Sequence, residues 1–121
     1  MKLGCLVPKR ADSSQCIMPT VWKTETAWDR ARGLLARPPL EWGQALWIEP
    51  CSSVHTVGMA YALDLVFLDA QGVVKKLVRD VKPLRVAAAR GAKVTLEMRS
   101  GQLDRLALRL GDAVAWSPVY E

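Results

Sequence analysis

The stretch CSSVHTVGMAYALDLVFLDAQGVV, residues 51–74, decides the fold predicted for this chain. Its centre, Leu63 to Leu68, is the most apolar run in the sequence. A continuous apolar run of this length is typical of a strand that is covered on both faces or lies in a closed barrel. The next four residues, Asp-Ala-Gln-Gly at 69–72, have the composition of a tight turn. Residues 73–81 are therefore predicted to return as the second arm of a hairpin.

The rest of the chain supplies further strands and two helices. The predicted strands are residues 1–7, 16–22, 45–48, 92–99 and 113–116, and the predicted helices are residues 26–37 and 102–110. In residues 92–99 apolar and polar side chains alternate, which predicts a half-buried strand with Glu97 and Arg99 on its polar face. We therefore predict an α+β fold: one β-rich domain over residues 1–121, with about seven strands in a curled or partly closed, mainly antiparallel sheet and two flanking helices.

The first helix carries its own start and stop signals. Thr26 and Asp29 have the spacing at which a hydroxyl caps the first turn while the acidic side chain reaches back. Pro38 and Pro39 then end the helix, because proline lacks the N–H that the helix needs and restricts the residue before it.

Length and composition are those of one globular domain. The chain has 121 residues, of which 50% are hydrophobic and 24% charged, and such a chain can bury a core without disulfides or metals. No apolar run approaches the roughly 18 residues that cross a membrane. The apolar run at residues 3–7 is also too short for a secretory signal, which needs about 7–15 apolar residues. We therefore expect no membrane contact.

Three cysteines, Cys5, Cys16 and Cys51, bear on the redox compartment. An odd number at wide spacing, with no C-x-x-C pair, is not the pattern of a disulfide framework. The sequence therefore predicts three reduced, unpaired thiols and a cytoplasmic protein.

The formal net charge of +5 is concentrated in residues 75–93, which we call the basic segment. It contains seven basic residues and one acid, Asp80. Such a segment can attract phosphate backbones. It has no aromatic side chain, however, whereas platforms for single-stranded nucleic acid interleave aromatic residues with charge. We therefore favour a solvated strand and loop whose lysines protect a sheet edge, and nucleic acid is a disfavoured partner.

An ordered set of short motifs runs through most of the chain. These are Arg30-x-x-Gly33-Leu34-Leu35-x-Arg37, Leu40-x-x-Gly43, Leu46, His55-Thr56-x-x-Met59, Asp64-x-x-Phe67-x-Asp69, Gly72-Val73-Val74, Pro83, Ala92, Leu96-Glu97, Gly101 and Gly111-Asp112. From about residue 20 to residue 116 this order resembles the bacterial and archaeal domain of unknown function 192. Many members carry a Trp-Met-x-Asn-Thr version of the central motif, so a strict asparagine role does not transfer to the His-Thr-x-x-Met version here. The resemblance implies a compact β-rich domain with the motif residues gathered on one side, and it assigns no function.

The central motif is the predicted site. His55 is the only histidine in the chain, and histidine is the residue type that most readily changes charge near neutral pH. Thr56 adds a hydroxyl that can donate or accept a hydrogen bond, and Met59 adds an adaptable apolar contact. Together they could hold a small ligand with one polar and one apolar end. The alternative is a packed loop in which the histidine is simply hydrogen-bonded.

Three further residues complete the predicted ligand-binding set. Asp64 heads the apolar strand, where an unpaired charge is costly, so we expect it to be hydrogen-bonded and paired with His55 or an arginine such as Arg30. Trp42, in a loop, is the tryptophan best placed to face a ligand. The predicted ligand-binding residues are thus His55, Thr56, Met59, Asp64, Arg30 and Trp42.

The leading functional prediction is a non-catalytic binding module at this cluster, for an unknown small ligand or protein partner and without a cofactor. A small hydrolase or metal-dependent enzyme is one alternative, because Cys51 and His55 could form a nucleophile and base, or bind zinc together with Asp64. In an extended chain Cys51 and His55 would lie about 13 Å apart, and paired zinc-ligand spacing is missing, so no catalytic residue or metal is assigned. A nucleic-acid-binding accessory protein that uses the basic segment is the other alternative.

Overall fold

The structure is a computed structural model that describes residues 1–9, 15–32 and 38–119. Its strands are β1 (Lys2–Pro8), β2 (Met18–Lys23), β3 (Gln44–Ile48), β4 (Ser53–His55), β5 (Leu63–Leu68), β6 (Val74–Val81), β7 (Val86–Ala88), β8 (Val94–Arg99) and β9 (Val114–Pro118). Its helices are α1 (Ala27–Arg32) and α2 (Gln102–Leu106).

Within these residues, seven strands form one sheet in the order β6-β5-β8-β3-β2-β1-β9. Neighbouring strands are antiparallel except β2 and β3, which run parallel with Trp22 opposite Leu46. The predicted β-rich architecture is confirmed, and the sheet is mixed. The remaining strands, β4 and β7, form a separate two-stranded ribbon with Ser53 opposite Ala88. The ribbon was not predicted, because three residues are too few to show an alternating pattern.

The sheet curls until its two edge strands meet at one end. Val73, just before β6, forms an isolated bridge with Ala113, just before β9. The N–H of Val74 donates to the carbonyl of Asp112 at 2.7 Å, and the N–H of Val114 donates to the carbonyl of Gly72 at 2.9 Å. A Cβ atom on Gly72 would collide with the carbonyl oxygen of Val114. The partly closed sheet that the sequence predicted is therefore present, and a glycine permits its closure.

Buried side chains form one apolar cluster on each face of the sheet. The inner cluster comprises Leu6, Met18, Val21, Ala45, Trp47, Val66, Leu68, Val74, Val94, Leu96, Met98, Leu103, Leu108 and Val114. The outer cluster comprises Leu40, Leu46, Ile48, Leu63, Leu65, Phe67, Val81 and Ala89. Strand β5 contributes to both clusters and is buried along its whole length, as its continuous apolar sequence predicted.

The prediction that residues 92–99 form a half-buried strand is wrong for the polar face. Strand β8 lies between β3 and β5 and is buried at every residue from Val94 to Met98. Thr95 and Glu97, expected to face solvent, are therefore buried among the residues of the outer cluster. The sequence pattern of β8 alone could not show that β8 lies between β3 and β5, with both of its faces covered by other parts of the chain.

The prediction of two flanking helices is also wrong. The helix predicted over residues 102–110 is only α2, five residues that end where Ala107 adopts a left-handed conformation with φ of 55°. The first predicted helix is seen as α1, and its remaining residues 33–37 lie outside the described residues. Its start signal is confirmed, because the N–H of Asp29 donates to the Thr26 hydroxyl at 3.0 Å. None of the described helices is both long and apolar enough to cross a membrane.

The prediction of three unpaired thiols is wrong as well. Cys5 in β1 and Cys16 just before β2 form a disulfide, with their Cα atoms 5.9 Å apart, and only Cys51 is a free cysteine. The antiparallel pairing of β1 with β2 brings the two residues together. The two cysteines are 11 residues apart in the sequence, and the sequence pattern did not predict that strand pairing would bring them together. The cytoplasmic location predicted from reduced thiols loses that support.

Candidate functional site

Asp64, the first of the predicted site residues, lies on the inner side of the sheet. It is 1% exposed and makes no ion pair with His55 or Arg30. One carboxylate oxygen accepts a hydrogen bond from the N–H of Asp80 at 2.8 Å. The other accepts from the N–H groups of Gly101 at 2.9 Å and Leu103 at 3.0 Å. The expected hydrogen bonding is confirmed, whereas the expected charged partner is replaced by three backbone donors.

Thr56 is buried and its hydroxyl is engaged within the protein. The hydroxyl donates to the carbonyl of Lys82 at 2.7 Å and accepts from the N–H of Arg85 at 2.8 Å. The N–H of Thr56 also donates to the carbonyl of Arg85 at 2.8 Å. Thr56 therefore fastens the end of β4 to the turn that precedes β7.

His55 and Met59 belong to the same part of the chain and have different surroundings. His55 is exposed at the end of the ribbon, opposite Val86. Met59 is half-buried and packs against the outer cluster. Cys51 also packs there, and its thiol donates to the carbonyl of Ser53 at 3.2 Å instead of contacting His55.

Arg30 is half-buried in α1. No described hydrogen bond or ion pair joins its side chain to the central motif. The structure therefore gathers His55, Thr56 and Met59 in one segment, places Asp64 on the other side of the sheet, and leaves Arg30 apart.

A pocket of about 500 Å³ opens beside the outer cluster, and we call it the outer pocket. It is lined by Pro39, Leu40, Glu41, Tyr61, Ala62, Arg99 and Ser100. Three separate parts of the chain meet here: the segment before β3, the segment before β5 and the end of β8. Leu40 and Tyr61 also pack against the outer cluster, so the apolar wall of the outer pocket is continuous with the core.

Trp42 is 39% exposed and adjoins two lining residues of the outer pocket: it follows Glu41 in the chain, and Arg99 lies over its ring. Two guanidinium groups lie over its indole ring, that of Arg99 at 4.3 Å and that of Arg105 at 3.6 Å from the ring centroid. We call these three residues the Trp42 cluster. A Cβ atom on Gly101 would lie 3.1 Å from the ring, so the glycine at the start of α2 lets the indole approach the backbone. Since Gly101 also donates to Asp64, that predicted residue positions the segment on which Trp42 rests.

Glu97 is a second buried carboxyl group, two residues before Arg99 on the same face of β8. It lies between Leu46 of β3 and Leu65 of β5, and it is 6% exposed. No group among the described residues donates a hydrogen bond to it or forms an ion pair with it. Burial raises the pKa of Glu97 from 4.5 to about 7, because the apolar surroundings disfavour the charged form.

The sequence reasoning considered Glu97 but expected it to face solvent and did not include it in the site, and it did not assign Arg99 or Arg105 to the site. The burial of Glu97 could have been inferred only by pairing its strand with β3 and β5, whose sequences are apolar at successive residues. The two arginines gave no sequence signal, because their placement over Trp42 depends on the turn at Gly101.

Metal and acid–base chemistry have little support among the described residues. They contain no group of three or more His, Cys, Asp or Glu side chains that could hold a metal ion. His55 ends β4, which begins at Ser53, whereas Cys51 precedes the strand and its thiol donates to the Ser53 carbonyl. The carboxylate of Asp64 is occupied by backbone donors. Nothing in this geometry indicates catalysis.

Comparison with known proteins identifies the family. The profile of DUF192, described as "Uncharacterized ACR, COG1430", matches residues 8–116. The chain belongs to this family. The resemblance drawn from the motifs is confirmed, and the match begins earlier than the predicted residue 20.

A UPF0127 protein of Thermococcus sibiricus is 31% identical to this chain over 98 residues. The matched region covers 76% of this chain and 62% of the relative, so the chain spans less than two thirds of the relative's length. That relative, like the family, is uncharacterised by name, and it supplies no activity to transfer.

Two crystal structures share the fold. A protein of unknown function from Novosphingobium aromaticivorans has a TM-score of 0.75 and 18% identity, covering 94% of this chain and 85% of its own. A protein from Sinorhizobium meliloti, described as a "putative transcription regulator", has a TM-score of 0.78 and 16% identity, covering 94% and 93%. At these identities the likeness shows the fold of this DUF192 chain alone.

Proposed function

We propose that this protein is a non-catalytic binding protein whose ligand occupies the outer pocket. The observation that carries the proposal is the outer pocket itself, whose volume of about 500 Å³ lies within the range of small-molecule sites. Such sites combine an apolar wall with a few polar groups that fix orientation. Leu40 and Ala62 supply the apolar wall here, while Arg99 and Ser100 supply polar groups.

The residues predicted from the sequence enter this proposal in different ways. Trp42 lies under Arg99, which lines the outer pocket, and of the predicted residues it is the best candidate for a ligand contact. Met59 packs under the segment that brings Tyr61 to the outer pocket, and Asp64 holds the backbone next to Ser100. We propose that Thr56 and His55 act through the ribbon that starts this segment, whereas Arg30 stays a sequence prediction.

The basic segment supports the alternative of nucleic-acid binding less well. Three of its cations form ion pairs with aspartates: Lys75 with Asp69, Arg79 with Asp104 and Lys82 with Asp80. Lys76 donates to the carbonyl of Ala88 at 2.8 Å. These contacts reduce the charge that would be offered to a phosphate backbone.

Amide chemical shifts test the proposal with three probes that share one shape and differ in charge: phenylpropionate, phenylpropionamide and phenylpropylamine. We expect at least one probe to bind in the millimolar range and to shift the amides of Leu40, Ala62 and Ser100. The variant Ala62→Trp fills the outer pocket and should abolish those shifts. Ala70→Trp, at an exposed turn position that lines a different pocket, is the matched control and should preserve them. Failure of all three probes, or binding that survives Ala62→Trp, would contradict the proposed function.

A further inference from the structure

We infer that the ligand of the outer pocket is an anion, a carboxylate or phosphate group attached to an apolar body. The inference rests on the proposed function and adds the chemical class of the ligand. Its basis is Arg99, which lines the outer pocket and lies over the Trp42 ring, together with Arg105, whose guanidinium group lies over the same ring.

The Trp42 cluster holds two cations over one aromatic ring, and neither cation has a described acidic partner. No described carboxylate lies within ion-pair distance of Arg99 or Arg105. Arg79, by contrast, is paired with Asp104 at 3.2 Å, although Asp104 is the residue next to Arg105 in the chain. Two cations thus lie over one indole ring without a described counter-charge, an arrangement that costs free energy unless an anion compensates it.

Stacking on the indole ring gives the two cations a defined position. A guanidinium over an aromatic face is held by the attraction between its charge and the ring's electrons, and it keeps its N–H donors free at the edge of the plane. Those donors match the two oxygens of a carboxylate or phosphate, which arginine binds in a bidentate manner. The Trp42 cluster therefore presents oriented donors rather than two freely moving charges.

The other lining residues define the rest of the ligand. Leu40, Pro39 and Ala62 form an apolar wall, which fits a hydrocarbon or aromatic body. Glu41 also lines the outer pocket, so its carboxylate opposes an anion. Arg99 balances Glu41 among the lining residues, and Arg105 over the same indole ring adds a second positive charge nearby. The ligand's charge should therefore lie beside Trp42, away from Glu41.

The charge series of probes tests this inference separately from the proposed function. We expect phenylpropionate to bind at least about tenfold more tightly than phenylpropionamide, because its carboxylate accepts charge-assisted hydrogen bonds that the neutral amide cannot. Phenylpropylamine should bind more weakly still. Phenethyl phosphate distinguishes the two anion types: tighter binding than phenylpropionate identifies a phosphate site, and weaker binding a carboxylate site.

Variants assign the effect to the two arginines. The double variant Arg99→Gln with Arg105→Gln should lose roughly tenfold in affinity for phenylpropionate and leave phenylpropionamide binding unchanged. Both side chains are exposed, so the variant is expected to fold, and its thermal melt confirms this. The control, Arg90→Gln with Arg109→Gln, removes the same charge from exposed positions outside the outer pocket and should keep full affinity. The variant Glu41→Gln should tighten phenylpropionate binding by removing the opposing charge.

The possible failures are distinct. Equal binding of all three probes, or equal loss in both double variants, would overturn the anion inference while leaving a pocket that binds small molecules. Preferred binding of phenylpropylamine would overturn it too, in favour of a cationic ligand held by Glu41. Absence of binding by every probe would overturn the proposed function and the inference together.

Discussion

Each face of the curled sheet buries one carboxyl group, and the two groups differ in their hydrogen bonding. Asp64 on the inner side accepts three hydrogen bonds from backbone N–H groups. Glu97 on the outer side is surrounded by leucines and accepts none from the described residues. Stability explains Asp64 completely, because it satisfies donors that would otherwise be buried alone. Stability does not explain Glu97, because burying an unpaired carboxyl group is costly.

A similar difference separates three ion-paired cations of the basic segment from the two arginines of the Trp42 cluster. In the basic segment Lys75, Arg79 and Lys82 each have an aspartate partner. In the Trp42 cluster, on the outer side with Glu97, the arginines have only the indole ring. Glu97 and Arg99 lie on the same face of β8, the face beside the outer pocket, and charged or ionisable groups without an opposite charge can be retained at a binding site at a cost to stability.

The inner carboxylate gives the largest expected effect. Replacing Asp64 by Ala leaves three backbone donors without an acceptor, and at about 1–3 kcal/mol each we expect a loss of roughly 3–5 kcal/mol in the free energy of unfolding. Asp64→Asn keeps one acceptor oxygen and should lose about half as much. Urea unfolding measures both. A loss below about 1 kcal/mol for Asp64→Ala would show that Asp64 does not organise the inner side.

The outer carboxyl group should make stability depend on pH. Because the pKa of Glu97 is raised from 4.5 to about 7 in the folded protein, its contribution is complete below about pH 4.5 and is lost as the pH rises through about 7. The variant Glu97→Gln should match the wild type in unfolding free energy at the acidic limit. Above about pH 7 it should be more stable by about 3 kcal/mol, the value that corresponds to this pKa difference.

Chemical unfolding across this pH range measures the Glu97 effect, with Glu41→Gln as the control. Glu41 is exposed, so its replacement should leave the pH profile unchanged. Parallel pH profiles for the wild type and Glu97→Gln would mean that the pKa of Glu97 is not raised in the folded protein, and the contrast drawn between Glu97 and Asp64 would fail.

The Trp42 cluster gives the smallest expected effect on stability. Trp42→Ala removes two cation–π contacts at a partly exposed site, and we expect a loss of about 1 kcal/mol or less for each. Trp42→Phe keeps an aromatic face and should retain most of that contribution. The same Ala variant should weaken phenylpropionate binding more than it weakens folding, because Arg99 and Arg105 lose their fixed position. A variant that binds phenylpropionate as the wild type does would separate Trp42 from the site.

The elements most visible in the sequence were those set by local patterns. The apolar run of β5, its hairpin to β6 and the cap at Thr26 follow from residues close in the chain, and each was predicted. The polar face of β8 was misplaced because its burial depends on β3 and β5, which are distant in sequence. The disulfide between Cys5 and Cys16 was missed for the same reason, since strand pairing brings them together.

The candidate site was harder to predict than the fold. The central motif drew attention to His55 and Thr56, and the structure gives Thr56 a buried role in fastening the ribbon. Trp42 was chosen as a ligand-facing residue because it lies in a loop, and the structure shows it 39% exposed, while its contact with a ligand stays a prediction. Its arginine partners could not be found, because a turn at Gly101 and the curl of the sheet bring them to the ring.

The position of a bound probe tests the central claim most directly. Intermolecular nuclear Overhauser effects between phenylpropionate and the protein report which side chains lie within a few ångströms of the bound molecule. We predict contacts from the phenyl protons to the methyl groups of Leu40 and the ring of Tyr61, with the carboxylate shifting the indole N–H resonance of Trp42. Contacts confined to Leu84 and Val86 of the basic segment, with no effect on Trp42, would contradict the claim that the outer pocket is the binding site of this protein.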